Sequence, residues 1–305
     1  MTVIVERKRS RPPTQVLRLE ELYVDIEDPM MKDARRDENG LELHVTDSAH
    51  DFKHLLHILY DGFEYMKSVK PMEFCDLASA ARLAHKYSIF SILNQCLEHL
   101  EAFFPSTIDD WDKHESLRAP SSRSFSPQNA IEAVILLRSL PPTGPAGAML
   151  PAAYYLAAQL PSIVISTGAR RVDGTLETLA QPDLDHVYAL QKELVVDAVD
   201  AHSAVYKGVP EGCKAGLFRS CRAGLERAEK DFRRAAVHGD PLGDALRLEI
   251  VGLAGDKYRV CGPCIAALWK REGESRKKIW DKLHEGPRRG EQPADSGKAA
   301  GGKAK

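Results

Sequence analysis

Four cysteines in the last third of the chain have side chains suited to holding a metal. Cys261 and Cys264 form a Cys-x-x-Cys pair, and Cys213 and Cys221 lie upstream with seven residues between them. A Cys-x-x-Cys turn brings two thiolates within reach of one tetrahedral zinc ion, and a second pair can close the coordination sphere. The seven-residue gap is wide for a compact knuckle, so Cys221 can equally be a small core residue on a helix. The tetrapeptide CGPC also matches a redox motif in letters, although no thioredoxin-like strand precedes it. Three readings stand side by side: a structural zinc site at Cys213, Cys221, Cys261 and Cys264, inert core thiols, or a Cys-x-x-Cys redox pair. A catalytic zinc is not expected, because nothing near CGPC suggests a general base beside an open coordination position.

A second set of metal-capable side chains is His50, His54 and His57, spaced i, i+4 and i+7 on one helix face. Three imidazoles on one face can in principle bind an ion. They sit opposite Phe52, Leu55, Leu56 and Leu59, which favours a solvated polar face over a site. The carboxylate pair Asp109 and Asp110 lies in a polar stretch and reads as solvated. No phosphate-binding loop, Gly-x-Gly-x-x-Gly, Gly-x-Ser-x-Gly or His-Glu-x-x-His occurs, so no enzymatic activity and no catalytic residue is expected. Structural zinc is the one cofactor the sequence leaves open.

The elements that must position these groups are mostly helical. The 305 residues are 43% hydrophobic, ample for packed cores. Leu41, Leu43 and Val45 alternate with Glu42 and His44 as a half-buried strand does. Ser48 with Asp51 marks a helix start, and the apolar stripe that follows ends at Asp61 and Gly62. Leu77, Ala80, Ala84 and Tyr87 form one more helical stripe, and Leu93, Leu97, Leu100 and Phe104 another, which makes Tyr87 and Leu97 expected core residues. Ser126 and Pro127 start a further helix that runs to Pro141 and Pro142, the next helix begins at Pro151, IVIS after Pro161 is strand-like, and a turn region spans Gly168 to Gly174. The segment DLDHVYALQKELVVDAVDAHSAVY reads as one long helix.

The ordered run LELHV, DFKHLLHILYDG, DLASAARLAHKYSI and ILNQCLEHLEAFFP resembles the later part of a BTB/POZ domain. Its most telling fragment is Leu77, Ala84, Lys86 and Tyr87 followed by Leu93, Cys96 and Leu100. FFPSTIDDWD, MLPAAYYLA, ARRVDGTL and the late Cys-x-x-Cys with Arg276 and Trp280 are similar to fungal proteins that pair a BTB domain with a helical C-terminal region. The fold class expected is therefore mainly α, a truncated BTB/POZ-like α+β half-domain followed by a C-terminal helical bundle. The strand pair and helices that normally open a BTB domain are not evident before Leu41.

The organisation expected is a poorly ordered segment over 1–40, a partial BTB/POZ-like domain over 41–105, a linker over 106–126, a helical domain over 127–285 and a disordered tail over 286–305. The resemblance implies a non-enzymatic protein-protein interaction scaffold, either an adaptor for a cullin ubiquitin ligase or a transcription-associated regulator, with protein partners. With dimer-forming elements not evident, a weak or non-standard homo-oligomer is expected. Basic residues number 42 against 44 acidic, so no overall field favours nucleic acid or an anionic membrane. The short basic run RKRSR at 7–11 and the cationic tail are the only features that point toward nucleic acid. No apolar run approaches the roughly 20 residues that span a bilayer, and a cytoplasmic or nuclear protein is expected.

Overall fold

The computed structural model describes residues 2–5, 16–18, 35–37, 40–45, 47–62, 73–119, 122–213, 221–238, 240–253 and 258–285. The basic run at 7–11 and the tail at 286–305 lie outside them. The chain is mainly helical and divides into two compact units, 1–196 and 197–305. The division falls inside a helix, not in the linker expected at 106–126.

In the first unit a four-stranded sheet has the order β2-β1-β4-β3. Its strands are β1 (Thr2–Val5), β2 (Val16–Arg18), β3 (Arg35–Asp37) and β4 (Gly40–Val45). β1 runs antiparallel to β2 and parallel to β4, with Val3 opposite Leu17 on one side and Leu43 on the other. Strand β4 is the LELHV strand legible in the sequence. The three strands before it stand in the stretch expected to hold little packed structure. Runs of three or four residues among charged neighbours are too short to show a period of two.

Helix α1 (Ala49–Asp61) starts where the sequence signals it. Ser48 is the N-cap and its hydroxyl accepts from the His50 N–H at 3.2 Å, while Gly62 ends the helix at φ 71° and donates its N–H to Ile58 O. Helix α2 (Phe74–Lys86) is the centre of this unit. Phe74, Leu77, Ala78, Ala80, Ala81 and Ala84 are fully buried, and the run of alanines lets α1 and α3 (Phe90–Leu100) approach closely. Leu97 is buried as expected. Tyr87 corrects its expectation: it is the half-buried cap beyond α2, where its hydroxyl and Lys86 Nζ both donate to the Asp47 carboxylate at 2.6 Å. Leu59 is also displaced from the expected stripe, since Ile58 points inward and Leu59 is exposed.

The stretch 106–126 is packed. It carries helices α4 (Ile108–Lys113) and α5 (Glu115–Arg118), buried Trp111 under the Arg118 guanidinium at 3.8 Å, and buried Phe125, whose ring joins Phe74, Phe103 and Phe104 in an edge-to-face cluster. Asp109 and Asp110 sit in the first turn of α4, and Asp110 accepts from the Thr107 hydroxyl at 2.8 Å. Pro127 and Gln128 form a turn before α6 (Asn129–Ser139). Helix α7 (Pro145–Ala158) starts six residues ahead of the expected Pro151 and runs through that proline, because Ala146, Met149, Ala152 and Ala153 bury surface on both sides of it.

IVIS is helical, not a strand. It lies in α8 (Ser162–Thr167), where Val164 and Ile165 donate their N–H groups to Pro161 O and Ser166 and Thr167 hydroxyls donate to Ile163 O. Three apolar residues and a serine are too short a run to show a period that distinguishes the two conformations. The Gly168 to Gly174 region then forms the two-stranded ladder β5 (Ala169–Arg170) and β6 (Leu176–Glu177). Helix α9 (Gln181–Val205) is the long helix anticipated from the sequence, and the division into units falls within it.

The second unit holds the end of α9 with α10 (Cys221–His238), α11 (Ala245–Gly252) and α12 (Gly262–His284). Its core is a small cluster that includes Val205, Leu225, Ile250, Leu253, Tyr258 and Leu268. Buried Arg276 donates to the carbonyls of Leu242 and Gly243, and Glu272 accepts from Arg247 at 3.0 Å.

Candidate metal centre

Cys213, Cys221, Cys261 and Cys264 converge, with all four Sγ atoms within 4.8 Å of one another. Each is placed by backbone that the local sequence dictates. Cys213 ends a turn closed by its own N–H on Pro210 O at 3.0 Å, Cys221 is the first residue of α10, Cys261 is the extended N-cap of α12, and Cys264 lies one turn into that helix behind Pro263. Pro263 suits the first turn because its missing N–H has no intrahelical acceptor there. Arg259 has φ 54°, a left-handed residue that turns the chain into the Cys-x-x-Cys segment. Gly224 allows α10 to lie directly on that segment, since a Cβ there would stand 2.2 Å from Tyr258 O.

The geometry fits one tetrahedral ion. Bonds of about 2.3 Å from zinc to sulfur separate adjacent sulfurs by about 3.8 Å, and Cys213 Sγ and Cys261 Sγ are 3.9 Å apart. The Cys261 N–H donates to Cys221 Sγ at 3.4 Å, a contact that stabilises a thiolate. The N-terminal ends of α10 and α12 add their positive dipole ends. Burial pushes the thiols of Cys221 and Cys264 up, and hydrogen bonding among the neighbouring cysteine sulfurs pushes in the same direction. Crowded cysteine sulfurs, with Cys221 and Cys264 resisting ionisation, are the situation a divalent cation relieves. The set is closed, with four protein sulfurs and no place kept for a substrate, which is the character of a structural site.

No family model, no curated protein and no solved structure matches this chain. The chemistry of the centre therefore stands on its own geometry. The redox reading of CGPC needs an accessible, easily ionised thiol, whereas Cys264 is buried, is pushed up by that burial, and shares its surroundings with two further cysteines. The remaining cysteines are apart from this cluster: Cys96 is a core residue pushed up to about 12 by burial, and Cys75 is pushed up to about 11 by burial first and by nearby Glu132 second.

The histidines on α1 are arranged differently from the sequence expectation. His50 and His54 meet Asp76 of α2, while His57 turns away and shares a 3.1 Å contact with Asp61. The face is not solvated: His54 and Asp51 are buried, because α2 packs across it. The partner the sequence did not suggest, Asp76, lies in the first turn of α2, and no spacing rule links it to α1.

Beside these histidines lies a charge network, also unanticipated. Asp51 accepts from Arg82 at 2.5 Å and from Arg171 at 3.4 Å, and Arg82 also pairs with buried Glu132. Burial alone pushes the Asp51 carboxyl up, but hydrogen bonding from His50 and the Arg82 charge overcome it and hold the group at about 2. No helix among the described residues is long and apolar enough to cross a membrane.

Proposed function

We propose that this chain is a non-enzymatic protein-protein interaction scaffold of the BTB type, whose second unit is held together by a structural zinc ion on Cys213, Cys221, Cys261 and Cys264. The observation that carries the proposal is the closed set of four sulfurs at the starts of α10 and α12. A closed centre fastens helix ends and leaves function to the surfaces those helices present. The core of the second unit is small, and small helical cores gain decisively from a metal staple. The BTB reading of the first unit is supported by the succession of strand β4 and helices α1, α2 and α3, and by the β1–β2 pair ahead of them. Lys86 and Tyr87, two members of the fragment that carries the resemblance, both grip Asp47 just before α1.

Within that class the chain acts as a ligase adaptor or as a transcription-associated regulator. Affinity purification of the full-length protein under mild washing separates the two, since an adaptor retains a cullin and a regulator does not. Elemental analysis of the same preparation tests the metal. At least one zinc per chain with unreactive thiols supports the scaffold, whereas metal-free protein with a rapidly titrating Cys261 thiol favours redox chemistry and overturns it.

A further inference from the structure

We propose that His50, His54 and Asp76 form a second metal site, separate from the cysteine centre, which takes a divalent transition ion of the zinc class and leaves one coordination position open. A ring nitrogen of each histidine and a carboxylate oxygen of Asp76 lie within 4.8 Å of one another. His54 Nε2 stands 3.3 Å from Asp76 Oδ1, and the His50 and His54 rings are tilted with centroids 4.6 Å apart. Histidines at i and i+4 project from one helix face, and a carboxylate delivered by a neighbouring helix completes a facial set of three ligands. Two imidazoles and a carboxylate suit zinc and its neighbours better than calcium or magnesium, which favour all-oxygen shells.

Further observations support an ion here. His50 is oriented from behind by Ser79 Oγ at 3.3 Å and by Asp51 at 3.8 Å, and Asp51 is itself fixed by Arg82. Outer carboxylate and hydroxyl partners of this kind orient a ligating imidazole. The nearby arginines do not oppose a cation with free charge, because Arg82 is paired with Asp51 and Glu132, and Arg171 with Asp51, Asp173 and Glu177. The Asp76 side chain remains 35% exposed, so the fourth position opens to water or to a donor from outside. Three ligands with an open place distinguish this site from the closed cysteine centre.

Titration of the full-length protein with cobalt(II) chloride tests the site independently of the cysteines. Cobalt on thiolates gives an intense near-ultraviolet charge-transfer band, and cobalt on imidazole and carboxylate gives only weak visible bands. The expected result is one equivalent bound without added charge-transfer intensity, weakened more than about tenfold in Asp76→Asn and in His50→Gln and unchanged in His57→Gln. Asp76 and His50 are part-exposed, so these variants keep the test interpretable where His54→Gln fails to fold. Absence of a thiolate-free equivalent in the wild type, its persistence in Asp76→Asn, or its equal loss in His57→Gln would overturn the proposal. Each of those results leaves the cysteine centre, read by its own band, untouched.

Discussion

Cys213 Sγ lies 3.9 Å from Cys261 Sγ although 48 positions separate them in the chain, so the turn after α9 meets the start of α12 at these two sulfurs. Removing the proposed zinc should release that contact. Chelation is expected to lower the thermal midpoint of the second unit and reduce its helical circular dichroism, at a cost of several kcal/mol. Cys264→Ser should reproduce the loss without chelator. A melting curve indifferent to both treatments would show that the thiols are simply core residues.

Gly224 of α10 faces the backbone of Tyr258, where an added Cβ would sit 2.2 Å from the carbonyl oxygen. Gly224→Ala must therefore push α10 away from the segment that leads into Cys261. Overpacking of this kind costs about 1 to 3 kcal/mol, and the same displacement should speed zinc loss to a competing chelator. Unaltered denaturant midpoint and zinc off-rate would mean that α10 and this segment are not held in contact.

Arg82 bridges two buried carboxylates, Asp51 and Glu132, and Arg171 reaches only the first of them, at 3.4 Å. Arg82→Ala leaves both without that partner, and loss of one member of a buried ion pair costs about 3 to 5 kcal/mol. Glu132→Gln should cost much less, because the guanidinium keeps Asp51 and an amide still accepts a hydrogen bond. Urea denaturation of the two variants checks the ordering. Equal, small effects would place the network in solvent.

The helices were legible in the sequence wherever a cap and an apolar stripe agreed. Ser48 with Gly62 bounds α1, and the Leu93, Leu97, Leu100 stripe marks α3. Boundaries failed at Pro151, which looked like a helix start because proline favours that place, yet lies inside α7. IVIS failed because three apolar residues and a serine carry no period, and 106–126 looked like a linker because its buried apolar residues, Trp111 and Phe125, are isolated among polar neighbours. The four cysteines were visible as a set from their chemistry. The convergence of Cys221 with the other three was hidden by its spacing, since that depends on α10 being laid against Tyr258 through Gly224. The Asp76 contact with the histidines and the Arg171 contact with Asp51 were not legible, because each is made through tertiary packing alone.

Glu249 supplies a pH test of the second unit. Burial raises its carboxyl to about 7, its Oε2 has no hydrogen-bond partner, and His202 Nε2 lies 3.8 Å from it. The folded protein therefore holds this proton more tightly than the unfolded chain, in which the pKa is the ordinary 4.5. When the unfolded state binds fewer protons, stability falls as pH rises. The contribution is fully present below about pH 4.5, declines between there and about pH 7, and is absent above that. Glu249→Gln replaces the titrating group with a neutral one of the same shape. It should match the wild type in acid and exceed it by on the order of 2 kcal/mol at pH 8. The measurement is the difference between the two denaturation free energies at saturating zinc from pH 5 to pH 8, which cancels any acid-driven metal loss common to both. A constant difference across that range would show that Glu249 is hydrated and titrates normally in the folded protein.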